Sequence, residues 1–253
     1  FTHLNVSNSS IVAYYPFDDN VSSTTIYDYT NNNNDGGARS GNVAFNNTGG
    51  IYGGYYTTYG GILNLSNNSI LNFERTDSFT LSYWMKRHDL NALASQMPIG
   101  KYDNSVSIGY LMWFQGVAPF SNQIQFDLLS TGTNRLRVRS NTNISDTTNW
   151  HHIVATYNGS SNWTGVQIYI DGVSTTTQKA TDALTTSIKS NVTLTIGGAG
   201  SGPNLLRMNI SLDEVMIWNT TLDSTQVLAI YNNQTSRFFP TGTMNWTGVN
   251  FAG

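Results

Sequence analysis

Cysteine is absent from this 253-residue sequence, and charged residues make up only 11 % of it. Without cysteine the chain has no disulfide framework, no thiolate nucleophile and no cysteine-ligated zinc site. Charged residues usually amount to roughly a quarter of a soluble domain. The surface must therefore consist largely of Asn, Ser, Thr, Tyr and Gly, and we expect it to be hydrated but nearly neutral.

Basic residues are also scarce: the chain has four lysines, Lys86, Lys101, Lys179 and Lys189, and a net charge of −3. This balance provides neither a basic face for nucleic acid nor a polybasic patch for anionic lipid. No apolar run approaches the roughly 18 residues of a membrane-spanning helix. We therefore predict no nucleic-acid partner and no membrane insertion. The chain begins at Phe1 rather than Met, which suggests that a leader was removed or left out.

Asparagine is abundant, and fourteen asparagines stand in N-x-S/T triplets in which x is not proline. Random placement of the same residues would give about seven such triplets. A chain rich in Asn and Thr collects some of them by composition alone, but the twofold excess predicts N-linked glycans and an extracellular or cell-surface location. The acceptors are Asn5, Asn8, Asn20, Asn46, Asn64, Asn67, Asn143, Asn158, Asn162, Asn191, Asn209, Asn219, Asn233 and Asn245.

Apolar and polar residues alternate in many short segments. Every second residue of FTLSYWMK, from Phe79 to Met85, is apolar, which is typical of a half-buried strand. VQIYIDGVSTT predicts a hairpin, because Asp171 and Gly172 form a two-residue turn signal. The polar, glycine-rich stretches 30–42 and 197–204 are interpreted as turns outside the core.

One helix is predicted, in the segment TLDSTQVLAIYNN. Asp223 and Gln226 can cap its first turn, while Val227, Ile230 and Tyr231 form an apolar stripe. Many strands, one short C-terminal helix and no helix between strands favour an all-β fold, an antiparallel two-sheet sandwich or jelly roll.

Two adjacent histidines, His151 and His152, raise the question of a metal or catalytic site. Neighbouring side chains of a strand point to opposite faces. His151 therefore shares a face with Ile153, and His152 shares the other face with Val154. The two cannot bind one ion together, and we interpret both as structural.

Six segments of the chain, taken in order, resemble the successive blocks of a laminin G-like domain of the concanavalin A-like lectin/glucanase superfamily. The resemblance covers residues 10–233, leaving a strand-like segment at 1–9 and a tail at 234–253. It implies a jelly roll of two curved sheets, in a family whose functions range from sugar binding to adhesion and scaffolding. The fold does not choose among these functions. The segments are SIVAYYPFDDN, FTLSYWMK, NWHHIVATYNG, VQIYIDGV, LTIGG and SLDEVMIWNTTLDSTQVLAIYNN.

Relatives in that family often hold calcium at the edge of the sandwich, which implies a structural calcium site here at Asp18, Asp28 and Asp213. Calcium takes about six to eight oxygen ligands, and carboxylates of separate loops can converge with backbone carbonyls. The alternative is that Asp18 begins a turn and that Asp213 bonds neighbouring backbone.

Some superfamily members are glycosidases, which carry an E-x-D-x-x-E motif on one strand. The chain has two glutamates, Glu74 and Glu214, and neither belongs to such a motif. The sequence also has no G-x-S-x-G and no H-E-x-x-H pattern. We therefore predict that the protein is not an enzyme.

Carbohydrate binding is one of two noncatalytic hypotheses, and it needs aromatic rings that stack on sugar beside a few fixed polar groups. Aromatic residues are also common in the packed strands of such sandwiches. The candidates are Trp113, Phe114, Tyr52, Tyr55, Tyr56 and Tyr59, of which Trp113, Tyr55 and Tyr56 are favoured.

Assembly into a filament is the other hypothesis and the first choice. Both terminal segments alternate like strands, and the tail could fold back on its own domain or pair with the edge of the next copy. Head-to-tail repetition of that pairing builds an open filament. The protein would then be a secreted structural subunit whose partners are copies of itself. The residues assigned to the contact are Leu4, Val6, Phe238, Phe239, Met244, Trp246, Val249 and Phe251.

Overall fold

A computed structural model describes residues 10–18, 25–51, 53–90, 96–115, 118–120, 122–198 and 209–238. They form two antiparallel β-sheets packed face to face, followed by one α-helix, which confirms the predicted all-β sandwich. The elements are β1 (Ile11–Tyr15), β2 (Ala38–Ser40), β3 (Val43–Asn46), β4 (Tyr55–Tyr59), β5 (Ile62–Asn64), β6 (Ser78–Arg87), β7 (Gln96–Asp103), β8 (Ile108–Phe114), β9 (Gln123–Leu129), β10 (Arg135–Asn143), β11 (His151–Asn158), β12 (Val166–Ile170), β13 (Val173–Ser174), β14 (Thr177–Asp182), β15 (Thr195–Ile196), β16 (Asn209–Trp218) and α1 (Ser224–Phe238).

The first sheet has the strand order β13-β12-β11-β6-β16-β4-β3, and β1 pairs with β16 as well. The second sheet has the order β14-β10-β9-β8-β7-β15-β5-β2. In sheet one, β4 pairs with the first half of β16 and β1 pairs with its second half. The change of partner coincides with a bulge at Asp213 and Glu214, where Glu214 has a φ of 51°.

The bulge changes which residues of β16 face the core. Ile210 and Leu212 point into the core before it, and Val215 and Ile217 do so after it. Residues of a regular strand alternate between faces, so an extra residue shifts the alternation by one. The bulge thus keeps both halves of the strand packed against the second sheet.

The main core lies between the two sheets and is rich in aromatic rings. The Phe79 ring lies 4.5 Å from the Phe73 ring, 5.2 Å from Tyr110, 5.9 Å from Phe126 and 5.7 Å from Tyr157, measured between centroids. Phe79 and Tyr157 belong to the first sheet, whereas Tyr110 and Phe126 belong to the second. These rings therefore join the two layers, and burying each one contributes about 1.5–3 kcal/mol.

Helix α1 covers the outer face of the first sheet. Val227 and Ile230 of the helix pack with Val154, Met216 and Trp218 of the sheet in a second apolar cluster. This packing explains why β16 is buried on both faces. Among the described helices, none is long and apolar enough to cross a lipid bilayer.

The start of the helix confirms the predicted cap. The backbone N–H of Gln226 donates to Oδ1 of Asp223 at 2.8 Å, and the backbone N–H of Asp223 donates to Oε1 of Gln226 at 2.9 Å. Such reciprocal bonds satisfy two N–H groups that the first turn leaves without partners. The helix thus begins where the sequence predicted.

The end of the helix corrects the predicted boundary at residue 233. Residues 234–238 are helical, so Phe238 is the last residue of α1 and not part of a strand-like tail. The buried side chain of Gln234 gives the physical reason, because it accepts a hydrogen bond from Trp84 Nε1 at 2.7 Å and donates one to Glu214 Oε2 at 3.0 Å. These bonds stabilise one more turn of helix.

Two turn predictions have different outcomes. The hairpin is confirmed, since Ile170 pairs with Val173 and the turn residues Asp171 and Gly172 have φ angles of 52° and 76°. The stretch 30–42 is only partly outside the core, because Asn34 is fully buried and donates to the Val12 carbonyl at 2.6 Å. A polar side chain is readily buried once it is hydrogen-bonded.

Candidate functional site

The outer face of the second sheet carries the candidate site. In β10, Leu136 and Val138 belong to the core between the sheets. Because successive side chains of a strand alternate, Arg135, Arg137 and Arg139 project from the opposite face. All three are half-buried. Three of the eight arginines of the chain thus lie within five residues on one face.

The register of β8, β9 and β10 places other polar and aromatic side chains beside these arginines. Arg139 pairs with Gln125, which pairs in turn with Trp113, while Arg137 pairs with Asp127. We call this surface the arginine face, defined as Trp113, Gln125, Asp127, Arg135, Arg137 and Arg139.

An ion pair lies at the centre of the arginine face. Arg137 binds Asp127 through two atoms, with Nε 2.8 Å from Oδ1 and Nη2 2.5 Å from Oδ2. Only 1 % of the Asp127 side chain is exposed. A buried carboxylate needs such a partner, and the bidentate geometry is among the strongest for a charged pair. Asp127 and Arg137 therefore neutralise one another.

Aromatic rings support two of the guanidinium groups. The Cζ atom of Arg137 lies 4.5 Å from the centroid of the Trp113 ring, and that of Arg139 lies 3.8 Å from the centroid of Phe120. Cation–π contacts of this kind orient a guanidinium and contribute about 0.5–1 kcal/mol. The arginine face is thus held in place by packing as well as by charge.

The flanking arginines keep their hydrogen-bonding capacity. Within the described parts of the chain, Arg135 Nε, Arg139 Nε, Trp113 Nε1 and Gln125 Oε1 are buried atoms without a hydrogen-bond partner. Burial lowers the pKa of Arg135 and of Arg139, and the positive charge of Arg137 lowers both further. Polar groups that are buried without partners are rare in proteins and call for an explanation.

The three residues favoured for sugar stacking lie in different environments. Trp113 lies on the arginine face but is only 7 % exposed, because Arg137 lies against its ring. Tyr55 is half-buried on the first sheet, where its ring meets that of Trp150 at 5.4 Å. The structure does not bring these rings together into one platform.

The stacking role of Tyr56 is wrong. Tyr56 is 2 % exposed and lies in the main core, where its ring centroid is 5.1 Å from that of Phe17 and 5.2 Å from that of Phe45. The physical reason is the alternation of β4, which turns Tyr56 inward and its neighbour Tyr55 outward.

Asp28 has no oxygen left to share with a metal ion. Its Oδ1 accepts from the backbone N–H groups of Tyr14 and Thr30 at 3.0 Å, and its Oδ2 accepts from the N–H of Asn34 at 2.9 Å and the Thr30 hydroxyl at 2.8 Å. The carboxylate thus holds its own loop against β1. It does not fit a calcium ligand.

The other two predicted calcium ligands lie at a common loop. Oδ1 of Asp18 accepts from the N–H of Gly54 at 2.9 Å, and Oδ2 of Asp213 accepts from the N–H of Ile51 at 2.6 Å. No group of three or more His, Asp or Glu suited to a metal ion occurs among the described residues. The predicted site of three aspartates is therefore not assembled.

The two adjacent histidines lie on opposite faces of β11, as predicted. His151 lies between two carboxylates, with Nε2 2.7 Å from Asp146 Oδ2 and Nδ1 2.8 Å from Asp171 Oδ2. The hydrogen bond to Asp171, opposed by burial and aided by Asp146, raises the pKa of His151 to about 9. His152 is fully buried, and its burial lowers its pKa to about 3. Both have structural environments.

The two glutamates are held by unrelated elements. Glu74 accepts from the Ser187 hydroxyl at 2.5 Å, whereas Glu214 accepts from the Tyr14 hydroxyl at 2.9 Å and from Gln234 beneath helix α1. Glu74 lies outside the strands, and the hydrogen bonds of the described residues give the two glutamates no common partner. This arrangement does not resemble the pair of carboxylates on one strand that a retaining glycosidase uses.

None of the predicted glycan acceptors within the described residues is buried, and glycosylation stays a prediction. Those that are exposed are Asn67, Asn143, Asn158, Asn162, Asn191 and Asn219, and those that are half-buried are Asn46, Asn64, Asn209 and Asn233. The acceptors that lie outside the described residues are Asn5, Asn8, Asn20 and Asn245.

The arginine face was not predicted from the sequence. The only local signal is the alternation in RLRVRS, which places three arginines on one side of a strand. Their neighbours Asp127 and Trp113 come from other strands, so the set becomes recognisable only once the register is known.

Solved structures with the same fold include several binding domains. The binding domain of Paraclostridial Mosquitocidal Protein 1 is 17 % identical with a TM-score of 0.65, over 88 % of this chain and 52 % of that one. The chain thus spans about half the length of that domain. Domain 4 of AbnA, a GH43 extracellular arabinanase from Geobacillus stearothermophilus solved in complex with arabinotriose, is 18 % identical with a TM-score of 0.60, over 88 % of this chain and 98 % of that one.

A sialidase from Trypanosoma rangeli, solved in complex with a difluoro-KDN, is 14 % identical with a TM-score of 0.62, over 92 % of this chain and 34 % of that one. None of the curated proteins matches the sequence. A laminin G-type family model, described as the concanavalin A-like lectin/glucanases superfamily, matches residues 57–228. That match covers more than half of the chain. The protein therefore belongs to the laminin G-like family of the concanavalin A-like superfamily.

Proposed function

We propose that the protein is an extracellular, noncatalytic module that binds carbohydrate on the arginine face. The observation that carries the proposal is a set of three side-chain N–H groups and one amide oxygen there that find no partner among the described residues. Carbohydrate sites combine a few fixed polar groups with aromatic side chains, and here the rings of Trp113 and Phe120 lie against Arg137 and Arg139 and hold them in place. A sugar hydroxyl can both donate and accept, so it can satisfy an arginine and a glutamine together.

The structural neighbours support this proposal as analogies. Domain 4 of AbnA was solved with a bound arabinotriose, and the likeness covers 98 % of that chain. At 18 % identity the likeness shows the fold alone, so the ligand comes to this chain only as part of the proposal.

The noncatalytic part of the proposal rests on the carboxylates. Asp127 is the acid of the arginine face, and it is buried in a bidentate ion pair with Arg137. A general acid or nucleophile must reach the substrate, and an aspartate engaged in this way does not. Glu74 and Glu214 are each tied to other parts of the fold.

Filament assembly stays a prediction of the sequence and takes second place. Phe238 is helical, and a donor strand would have to begin beyond it. The other residues assigned to the subunit contact lie outside the described residues; they are Leu4, Val6, Phe239, Met244, Trp246, Val249 and Phe251. A chain truncated after Phe238 tests the hypothesis, since a polymer lost while the monomer stays folded would support strand addition, and a full-length protein that is always monomeric would contradict it.

A glycan array tests the carbohydrate-binding proposal. The wild-type protein is compared with Arg139→Gln, which removes a guanidinium that has no ion pair, and with Arg75→Gln as control. Arg75 donates to the Ser161 hydroxyl at 2.7 Å in a loop outside the arginine face, so the control removes the same charge elsewhere. We expect at least about a tenfold loss of affinity, or about 1.4 kcal/mol, for Arg139→Gln and little change for Arg75→Gln.

Two outcomes would contradict the proposal. If the folded wild-type protein binds no glycan, carbohydrate binding is excluded as its function. If the protein binds a glycan but Arg139→Gln and Arg137→Gln bind it equally well, the arginine face is not the site. Thermal melts of each variant establish that the fold is retained.

A further inference from the structure

The charges of the arginine face do not balance. Among the ion pairs of the described residues, the only one that involves an arginine or a lysine joins Arg137 to Asp127. That pair cancels one of the three guanidinium charges. Arg135 and Arg139, on either side of it, have no carboxylate partner, and neither side chain makes a hydrogen bond to a described residue. The face thus presents two surplus positive charges.

This concentration of charge is unusual for the chain. The protein as a whole has a net charge of −3 and only twelve basic residues. Like charges close together on one strand repel each other, and the pKa values of Arg135 and Arg139 are lowered partly by Arg137. Two uncompensated guanidinium groups lower the stability of the ligand-free protein, and an anion placed against them would relieve that cost.

We infer that the arginine face binds an acidic saccharide, with Arg135 and Arg139 contacting its carboxylate or sulfate groups. The inference rests on the proposed carbohydrate-binding function and names the class of its ligand. Guanidinium groups form two parallel hydrogen bonds with carboxylate and sulfate oxygens. Two residues along a strand span about 7 Å, so Arg135 and Arg139, four residues apart, lie at about twice that spacing. Two acid groups on an oligosaccharide can reach them, with sugar hydroxyls near Gln125 and Trp113, which are in register with Arg139.

The neutral polar groups of the face favour a saccharide over a simple anion. Between the two flanking arginines, the Asp127–Arg137 pair is already neutral. The unpartnered groups Trp113 Nε1 and Gln125 Oε1 belong to the neighbouring strands, in register with Arg139. One is a neutral donor and the other a neutral acceptor. Hydroxyl groups satisfy both, whereas an inorganic anion would satisfy only the donor.

Three chemical forms of the same oligosaccharide test the inference. The probes are a chondroitin sulfate tetrasaccharide, its desulfated form, and a form that is both desulfated and carboxyl-reduced and therefore neutral. Isothermal titration calorimetry measures the affinity of each. We expect the neutral form to bind at least about tenfold more weakly than the charged forms, and added salt to weaken only the charged forms. Binding of the desulfated form identifies the carboxylate as the recognised group, and loss of binding on desulfation identifies the sulfate.

Paired variants locate the effect. Arg135→Gln/Arg139→Gln removes the two surplus charges, and we expect it to lower the affinity for the acidic forms to that for the neutral form. The control, Arg75→Gln/Lys189→Gln, removes two positive charges in loops away from the face and should leave the ratio of acidic to neutral affinity unchanged. Neither pair touches the Asp127–Arg137 ion pair, so the fold should persist in both.

The result separates the inference from the proposed function. Equal affinity for the acidic and neutral forms, with binding still lost in Arg139→Gln, would overturn the acidic ligand and leave carbohydrate binding standing. No binding to any form, together with an empty glycan array, would overturn both. A single-stranded oligonucleotide that binds more tightly than every saccharide would assign the face to a different class of polyanion and overturn the inference.

Discussion

Nδ1 of His151 lies 2.8 Å from Oδ2 of Asp171, and the other oxygen of Asp171 accepts from the backbone N–H of His152 at 2.9 Å. Asp171 begins the tight turn between β12 and β13. The contact therefore ties that hairpin to strand β11. It also makes the attachment depend on the charge of one imidazole.

The stability of the protein should fall as the pH rises through the titration of His151. The pKa of folded His151 is raised from 6.5 to about 9, so its contribution is complete below about pH 6.5 and is lost as the pH approaches 9. We expect His151→Gln to lower the free energy of unfolding by about 1 kcal/mol at pH 6, which is about 2–4 °C in melting temperature for a chain of this size. The difference should shrink at pH 9.5. Thermal melts across this range provide the measurement.

His88→Gln is the matched control for that experiment. Burial and the positive charge of Lys86 lower the pKa of His88, so its charged form is not favoured by folding. The variant should not reproduce the stability difference between pH 6 and pH 9.5. Equal pH dependence in His151→Gln and the wild type would show that the Asp171 contact does not depend on the charge.

Replacing Gln234 should loosen helix α1 from the first sheet. In Gln234→Leu, Trp84 Nε1 loses its acceptor and Glu214 loses a donor, both in buried positions. A buried polar group without its partner costs about 1–3 kcal/mol. Urea denaturation should show that loss. Relative to the wild type, the variant should speed up hydrogen exchange more in the helix than in β6. Thr225→Ala, an exposed change in the same helix that does not weaken its propensity, should lower neither the stability nor the exchange protection of the helix; a similar loss there would contradict the specific role of the Gln234 bonds.

Much of the fold is predictable from local patterns. The alternation from Phe79 to Met85 gives strand β6, and the spacing of Asp223 and Gln226 gives the start of the helix, because each signal involves residues close in sequence. The prediction that residues 30–42 lie outside the core is wrong for Asn34, because its burial depends on a hydrogen bond to the distant Val12 carbonyl. Composition cannot reveal such a partner.

Only single residues of the candidate site are predictable from the sequence, and their arrangement is not. Trp113 is recognisable as an aromatic residue of interest, but Arg137 comes to lie over it through the pairing of β8, β9 and β10. Tyr55 and Tyr56 are adjacent tyrosines, and alternation alone does not say which one faces the core. In both cases the environment of the side chain depends on how strands distant in sequence pair with one another.

Removing calcium should leave the stability unchanged. Asp28 uses both oxygens for protein donors, and Asp18 and Asp213 each accept a backbone N–H. We expect the melting temperature in excess chelator to equal that in millimolar calcium within about 1 °C, on the scale of 2–4 °C for each kcal/mol. A rise with calcium that disappears in Asp213→Asn would instead support a metal site at the loop of residues 50–54.

Glycan occupancy should follow exposure. We expect glycopeptide mass spectrometry of protein secreted from a eukaryotic host to find glycans at the exposed acceptors Asn143, Asn191 and Asn219 more often than at half-buried Asn46 and Asn209. The acceptor nitrogen of Asn46 donates to the Thr57 hydroxyl at 3.3 Å, which reduces its availability. Treatment with a peptide N-glycosidase should lower the mass of the protein. An unmodified mass in the secreted protein would contradict this prediction.

Strand β16 is sensitive to changes in length beyond the bulge at Asp213 and Glu214. Removing Met216 from the regular stretch after the bulge would turn Ile217 toward helix α1 and drive Trp218 into the space between the sheets. The bulky indole of Trp218 would then compete for room with side chains of the opposite layer. Evolution of this segment should therefore proceed by exchange of side chains and rarely by insertion or deletion.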